Sequence, residues 1–244
     1  MISLEVCIHS KSDTYVTHSV SEAWKGGADR IELCSHMEQD GLTPSIAHIE
    51  LAREAFKDRS GLLAMVRPTG GDFFYNLDEI NLMDRQIVDA AKAGVNGVVI
   101  GVLDKGTGSI HRDYCYQLVE RAREYELAVT FHRAFDAIGD WKCSLDTLVE
   151  LGVDRVLSSG IPWGHSGTAL DGVERLIEMG KYVSGELEIV VGGGVSRKNT
   201  AKILAGLRPE ITNFSLHAYS AMLEAGNVDF EKVHELKSML TEET

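Results

Sequence analysis

The sequence predicts a single closed (β/α)8 TIM barrel over residues 1–244, and three observations carry that prediction. Short β-rich apolar runs recur through the chain, their starts spaced by about 25 to 35 residues, the length of a strand, a helix and two loops. Helix-compatible segments fill the intervals, and several close on a glycine where a helix C-cap is expected. No GxGxxG follows the first run, and the alternation continues evenly to an eighth strand instead of breaking at a switch point, which separates a barrel from an open doubly wound sheet.

The elements follow in order. LEVCI from Leu4 is the first strand, and a helical segment over 19–25 leads through KGGAD into the second, RIELC from Arg30. Residues 45–57 form the next helix before LLAMVRP from Leu62, and 78–93 the next, closing on KAGVNG before GVVIGVL from Gly97. A helix over 113–125 precedes AVTFHRAFD from Ala128, and one over 144–151 ends in ELGVD before RVLSS from Arg155. Helices over 170–183 and 196–207 flank LEIVVGGG from Leu187, NFSLHA from Asn213 is the eighth strand, and 228–240 a closing helix. The chain shows no linker, low-complexity tract or second domain.

Composition narrows the function. A formal charge of -13 with no Lys/Arg-rich run gives no basis for holding nucleic acid or an anionic membrane. The start MISLEVCIHSKSD lacks a basic n-region and turns polar too early for a signal peptide, so a cytoplasmic location is expected. There Cys7, Cys34, Cys115 and Cys143 are expected as thiols, and none lies in a CxxC pair. Any metal site must be assembled in space.

Side chains alternate along a strand, so Glu5 shares a face with Cys7 and Glu32 with Cys34. Leu4, Val6, Ile8, Ile31 and Leu33 then face the helices. A carboxylate inside a barrel needs cations or donors. The sequence offers Arg67 at the end of the third strand and His132 with Arg133 on the fifth. Glu5, Glu32, Arg67 and His132 are expected as one ionic cluster near the C-terminal mouth, where active sites of this fold sit. The plainer alternative is a structural salt-bridge network.

The thiols also have two readings. Free cysteine packs as a small hydrophobe, and Cys115 and Cys143 in helical stretches are read that way. Cys7 and Cys34, at equivalent positions of adjacent strands, are also placed to share a soft ion such as copper(I), provided their sulfurs lie within about 4.6 Å. VVGGGV before a helix offers Gly193 and Gly194 as an anion cradle, with the segment HAYSAML from His217 supplying a short extra helix. The alternative is a tight turn that needs glycine. RPTGGDFFY, from Arg67, reads as a loop over the mouth, with Asp72 turned in and Phe73 to Tyr75 closing it. No lysine falls in a strand, so a Schiff-base centre has no obvious carrier, Lys105 and Lys142 lying in loops. HExxH, GxSxG and P-loop motifs are absent.

LEVC, GGADRIELC, GLTPS, RPTGGDFFY, GVVIGVLD, VTFHRAFD, RVLSSG, GGGV and the final HA, in this order over nearly the whole chain, resemble the CutC family, named for copper homeostasis. The resemblance implies a TIM barrel, a cytoplasmic location, homo-oligomerisation, and a role in copper tolerance with copper(I) on Cys7 and Cys34. Three positions depart from the family pattern. Thr69 stands where a second arginine is usual, Asp40 replaces a glycine, and Ser215 takes a position often held by glutamate.

Two functions follow. One is a copper(I)-binding protein with Glu5, Glu32 and His132 around the thiols. The other is an isomerase or lyase acting on a small anionic or phosphorylated metabolite, its anion near Arg67, Arg133, His217, Gly193 and Gly194, with Glu5, Glu32 or His132 moving protons. A divalent zinc or manganese ion on Glu5, Glu32, Asp72 and His132 is a variant of the second. A scaffold without a site is disfavoured, since buried charge is costly to keep without a use.

Overall fold

The structure, a computed structural model, describes residues 2–241. Eight strands alternate with eight helices: β1 (Leu4–His9), α1 (Asp13–Lys25), β2 (Arg30–Cys34), α2 (Ile46–Phe56), β3 (Leu62–Met65), α3 (Leu77–Lys92), β4 (Gly97–Ile100) and α4 (Arg112–Arg123) make the first half. The second half is β5 (Ala128–Phe131), α5 (Trp141–Leu151), β6 (Arg155–Ser158), α6 (Val173–Val183), β7 (Glu188–Val191), α7 (Arg197–Leu207), β8 (Phe214–Ala218) and α8 (Phe230–Thr241). The strands pair in parallel in sequence order, and β8 returns to β1 to close a (β/α)8 TIM barrel. Among the described residues, no helix is long and apolar enough to cross a membrane.

Strand alternation divides the core as the sequence predicts. Leu4, Val6, Ile8, Ile31 and Leu33 join the apolar layer between strands and helices. Cys7, Cys34, Leu63, Met65 and Val99 form a separate cluster inside the barrel. The expected glycine closures are present too: Gly152 ends α5 at φ 70°, a left-handed conformation that costs glycine no Cβ penalty.

Some boundaries differ from the sequence reading. Helix α1 begins at Asp13, not near residue 19, because Ser12 is extended and its side chain accepts from the Tyr15 amide, setting the N-cap one and a half turns earlier. β3 and β5 are shorter than their apolar runs, ending at Met65 and Phe131. Arg67 therefore lies beyond its strand, and His132 N-caps a 3-10 turn over Arg133–Ala137. The segment after His217 supplies only a three-residue 3-10 turn, Ser220–Met222, followed by a small hairpin that pairs Leu223–Glu224 with Asn227–Val228.

Candidate functional site

The barrel interior is polar in two tiers. At the lower tier, near the strand N-termini, Arg30 is the hub. Its Nε donates to Glu5 Oε2 at 2.9 Å, and its Nη2 donates to Glu188 Oε1 at 2.6 Å and to Ser215 Oγ at 2.5 Å. Arg155 adds a second guanidinium, 3.5 Å from Glu188 Oε2. Burial and the two facing carboxylates act in opposite directions on Arg30, and the carboxylates win, holding it fully charged. This tier plugs the bottom of the barrel. Arg30 shares its strand face with Glu32 and Cys34, so alternation alone marks it as inward; its partners come from strands remote in sequence.

The upper tier opens to the mouth. Glu32 Oε2 lies 2.8 Å from His217 Nε2, and Glu5 Oε1 is 4.0 Å from the same nitrogen. Burial alone would raise Glu32 and lower His217, but their mutual attraction reverses both directions and favours the carboxylate–imidazolium pair. The other Glu32 oxygen, Oε1, is buried and has no hydrogen-bond partner.

The two thiols sit beside this pair. The register sets His9, not Cys7, against Cys34, so the cysteines are staggered by two residues rather than placed at equivalent positions. Their side chains nevertheless converge, Cys7 donating to Cys34 with an Sγ to Sγ distance of 3.8 Å. Cys7, Glu32 and Cys34 can present ligand atoms that all lie within 4.8 Å of one another. Met65 packs in the same cluster, with Met37 and Tyr219 against it. Cys115 is buried in the helical layer and Cys143 is exposed.

The expected single cluster of Glu5, Glu32, Arg67 and His132 does not form, because each finds a nearer partner. Arg67 stitches the mouth loops together: Nη1 donates to the carbonyls of Gln39 at 2.6 Å and Gly41 at 3.2 Å, and Nη2 to Gly71 at 3.1 Å. It makes no ion pair among the described residues, and its Nε is unpartnered though the side chain is 1% exposed. His132 accepts from the Ala134 amide at Nδ1, 3.1 Å away, which leaves the proton of the neutral ring on Nε2. That Nε2 is buried without a partner. Burial and the Arg67 charge push His132 down to about 3, so it stays neutral at physiological pH. A Cβ on Gly101 would overlap the His132 ring, which explains glycine there.

A cavity of about 260 Å³ joins these groups, lined by Cys7, Glu32, Cys34, Arg67, His132, Arg133 and His217. Phe73 and Trp163 wall it, their rings 5.2 Å apart, and Arg133 stacks 5.2 Å over Trp163. Asp136 fixes Arg133 through its Nε at 2.8 Å. Asp40 and Tyr219 are not among the site residues that the sequence suggests, yet both line the cavity. Asp40 has φ 62°, the left-handed region, which accounts for a glycine preference at that position; aspartate is among the few other residues that tolerate it.

Four expected site residues lie outside the cavity lining. Glu5 sits beneath it, bonded to Arg30. Asp72 is exposed at the rim, its Oδ1 accepting from the Phe74 amide at 3.3 Å. Gly193 and Gly194 turn at φ 102° and 70°, and a Cβ on either would stand 2.9 Å from Ser159 or Thr168. Close approach of neighbouring side chains is therefore sufficient reason for both glycines.

Comparison with known proteins follows the same fold and motifs. The CutC family model matches residues 2–212. A family protein CutC of Aliivibrio fischeri (strain MJ11) is 39% identical over 203 residues, covering 83% of this chain and 77% of its own length. A copper homeostasis protein cutC homolog of Homo sapiens is 38% identical over 206 residues, covering 83% of this chain and 69% of that protein. The crystal structure of CutC from Streptococcus agalactiae aligns with a TM-score of 0.75 at 29% identity, over 89% of this chain and 98% of that one. With a family model spanning most of its length, and relatives 38% and 39% identical to it over 83% of the chain, this chain belongs to the CutC family.

Proposed function

We propose that the protein binds copper(I) through Cys7 and Cys34 and buffers or delivers it within the cytoplasm. The observation that carries this reading is the sulfur pair, 3.8 Å apart and lining an open cavity. Two metal–thiolate bonds of about 2.3 Å span at most about 4.6 Å, so the sulfurs meet the requirement without moving the strands. Thiolates are soft donors, which select copper(I) over magnesium or calcium, and the Met37 and Met65 thioethers packed against them add to that character. Two thiolates with one copper(I) carry a net negative charge, and His217 and Arg67 place compensating positive charge on the same cavity wall.

A hard divalent ion fits less well. Glu5, Glu32 and His217 are close enough to be considered together, but Glu5 is bonded to Arg30 and His217 to Glu32. Binding there would have to break both contacts and leave buried charges unpaired.

An anaerobic copper(I) titration against a competing chelator tests the reading. Wild type is expected to bind one equivalent at least about a hundredfold more tightly than the Cys7→Ala/Cys34→Ala double variant, since the two soft donors supply most of the affinity. Equal affinities in the two proteins would reduce the thiols to packing.

A further inference from the structure

The copper reading leaves two features of the cavity unused: Nε2 of the neutral His132 imidazole and Oε1 of the Glu32 carboxylate, each buried without a hydrogen-bond partner. We propose that the same cavity catalyses proton abstraction next to a carbonyl group, on a small substrate that also carries an anionic group, with Glu32 as the base and His132 as the electrophile.

His132 is preset for that task. The Ala134 amide occupies Nδ1, so the ring proton sits on Nε2, which is buried without a partner on a residue that lines the cavity. A neutral imidazole N–H stabilises a developing enolate without the permanent charge of an imidazolium; triosephosphate isomerase uses its own neutral histidine in this way. The depressed proton affinity of His132 is consistent with that role. Gly101, beside the ring, keeps the space for it.

Glu32 supplies the complementary group. His217 holds Oε2 at 2.8 Å and so fixes the carboxylate, while Oε1 is left without a hydrogen-bond partner on a residue that lines the cavity. Arg67 supplies the anion subsite. Its guanidinium is buried, unpaired with any carboxylate among the described residues, and held rigid by three loop carbonyls. A fixed cation of that kind in a largely apolar cavity selects a carboxylate or phosphate on the substrate. The size of the cavity suits a molecule of a few carbon atoms.

The step balances within substrate and protein. Glu32 Oε1 takes the proton from the carbon next to the carbonyl, and the C–H electron pair becomes the new carbon–carbon double bond. The carbonyl π pair moves onto oxygen, which the His132 N–H stabilises as an enolate. Return of the proton from Glu32 to the same carbon restores the substrate. Where that carbon also carries a hydroxyl, as in dihydroxyacetone phosphate, the hydroxyl proton moves to the enolate oxygen, its O–H pair becomes the new carbonyl, and return of the Glu32 proton to the former carbonyl carbon completes an isomerisation. No electron acceptor or further reactant is required.

Solvent exchange reads the first half of this step directly. Copper-free protein, kept under chelator in deuterium oxide, is incubated with 2-oxobutanoate or with dihydroxyacetone phosphate, and loss of the hydrogens next to the carbonyl is followed by proton NMR. Wild type is expected to exchange at least one probe tenfold or more faster than Glu32→Gln, and His132→Phe is expected to lose at least tenfold while retaining the wild-type melting curve. Exchange of 2-oxobutanoate alone assigns a carboxylate to the Arg67 subsite, and exchange of the phosphate ester alone assigns a phosphate. Wild type no faster than protein-free buffer with both probes overturns the proposal, as does exchange that survives both substitutions. The chelated protein makes this result independent of the copper titration.

Discussion

Arg30→Ala is expected to lower folding stability by about 3–5 kcal/mol, the usual cost of removing one partner from a buried ion pair and leaving the others uncompensated. Arg30 joins strands that are distant in sequence: β2, which carries it, β1 through Glu5, β7 through Glu188 and β8 through Ser215. Its side chain is 11% exposed and that of Glu5 is 1% exposed, so water cannot replace the lost bonds at Glu5. Lysine is not an adequate substitute, because one ammonium cannot reproduce a planar fork that reaches three partners at once. Arg30→Lys should therefore recover only part of the loss. Denaturant unfolding measures both variants, and a loss below about 1 kcal/mol in Arg30→Ala would mean that the lower tier is not a structural plug.

Copper(I) affinity is expected to rise about a hundredfold for each unit of pH between about pH 6 and pH 8. Both cysteines are protonated in that window. The hydrogen bond to Cys34, together with burial, raises Cys7 well above the usual thiol range. Cys34 is lowered by its bond from Cys7, but burial and the Glu32 charge carry it up to about 11. A thiol whose pKa lies above the working pH must give up its proton before it can ligate, so each thiolate formed releases one proton on binding. Raising the pH removes that competition, and the dissociation constant falls; lowering the pH weakens binding. Competition titrations corrected for the chelator's own protonation give the slope. A tenfold change per unit would mean that one thiol ligates, and a flat profile would mean that neither does.

Much of the barrel could be read from the sequence because its signals are local. Each strand is a short apolar run, each interval is long enough for one helix, and glycines such as Gly152 mark the returns. The inward direction of Glu5, Cys7, Glu32 and Cys34 follows from alternation alone. Arg30 obeys the same rule, two residues before Glu32, but its place at the very start of β2 makes it look like a solvent-facing strand end.

What the sequence could not supply depends on register across the closed sheet. The stagger of β2 against β1 puts Cys34 opposite His9, and only the side-chain directions bring the sulfurs to 3.8 Å. The pairing of Glu32 with His217 requires β8 to return beside β1. His132 reads as one more strand residue until the chain turns at Phe131 and presents the Ala134 amide to its ring. Arg67 looks like an anion clamp in sequence, and most of its hydrogen bonds prove to be committed to loop carbonyls that depend on the fold of two separate loops.

The most direct test of the copper site is X-ray absorption at the copper edge on wild-type protein loaded anaerobically with one equivalent of copper(I). Ligation by Cys7 and Cys34 predicts two sulfur neighbours at about 2.3 Å. A spectrum with only nitrogen or oxygen neighbours would contradict it and place the metal away from the paired strands.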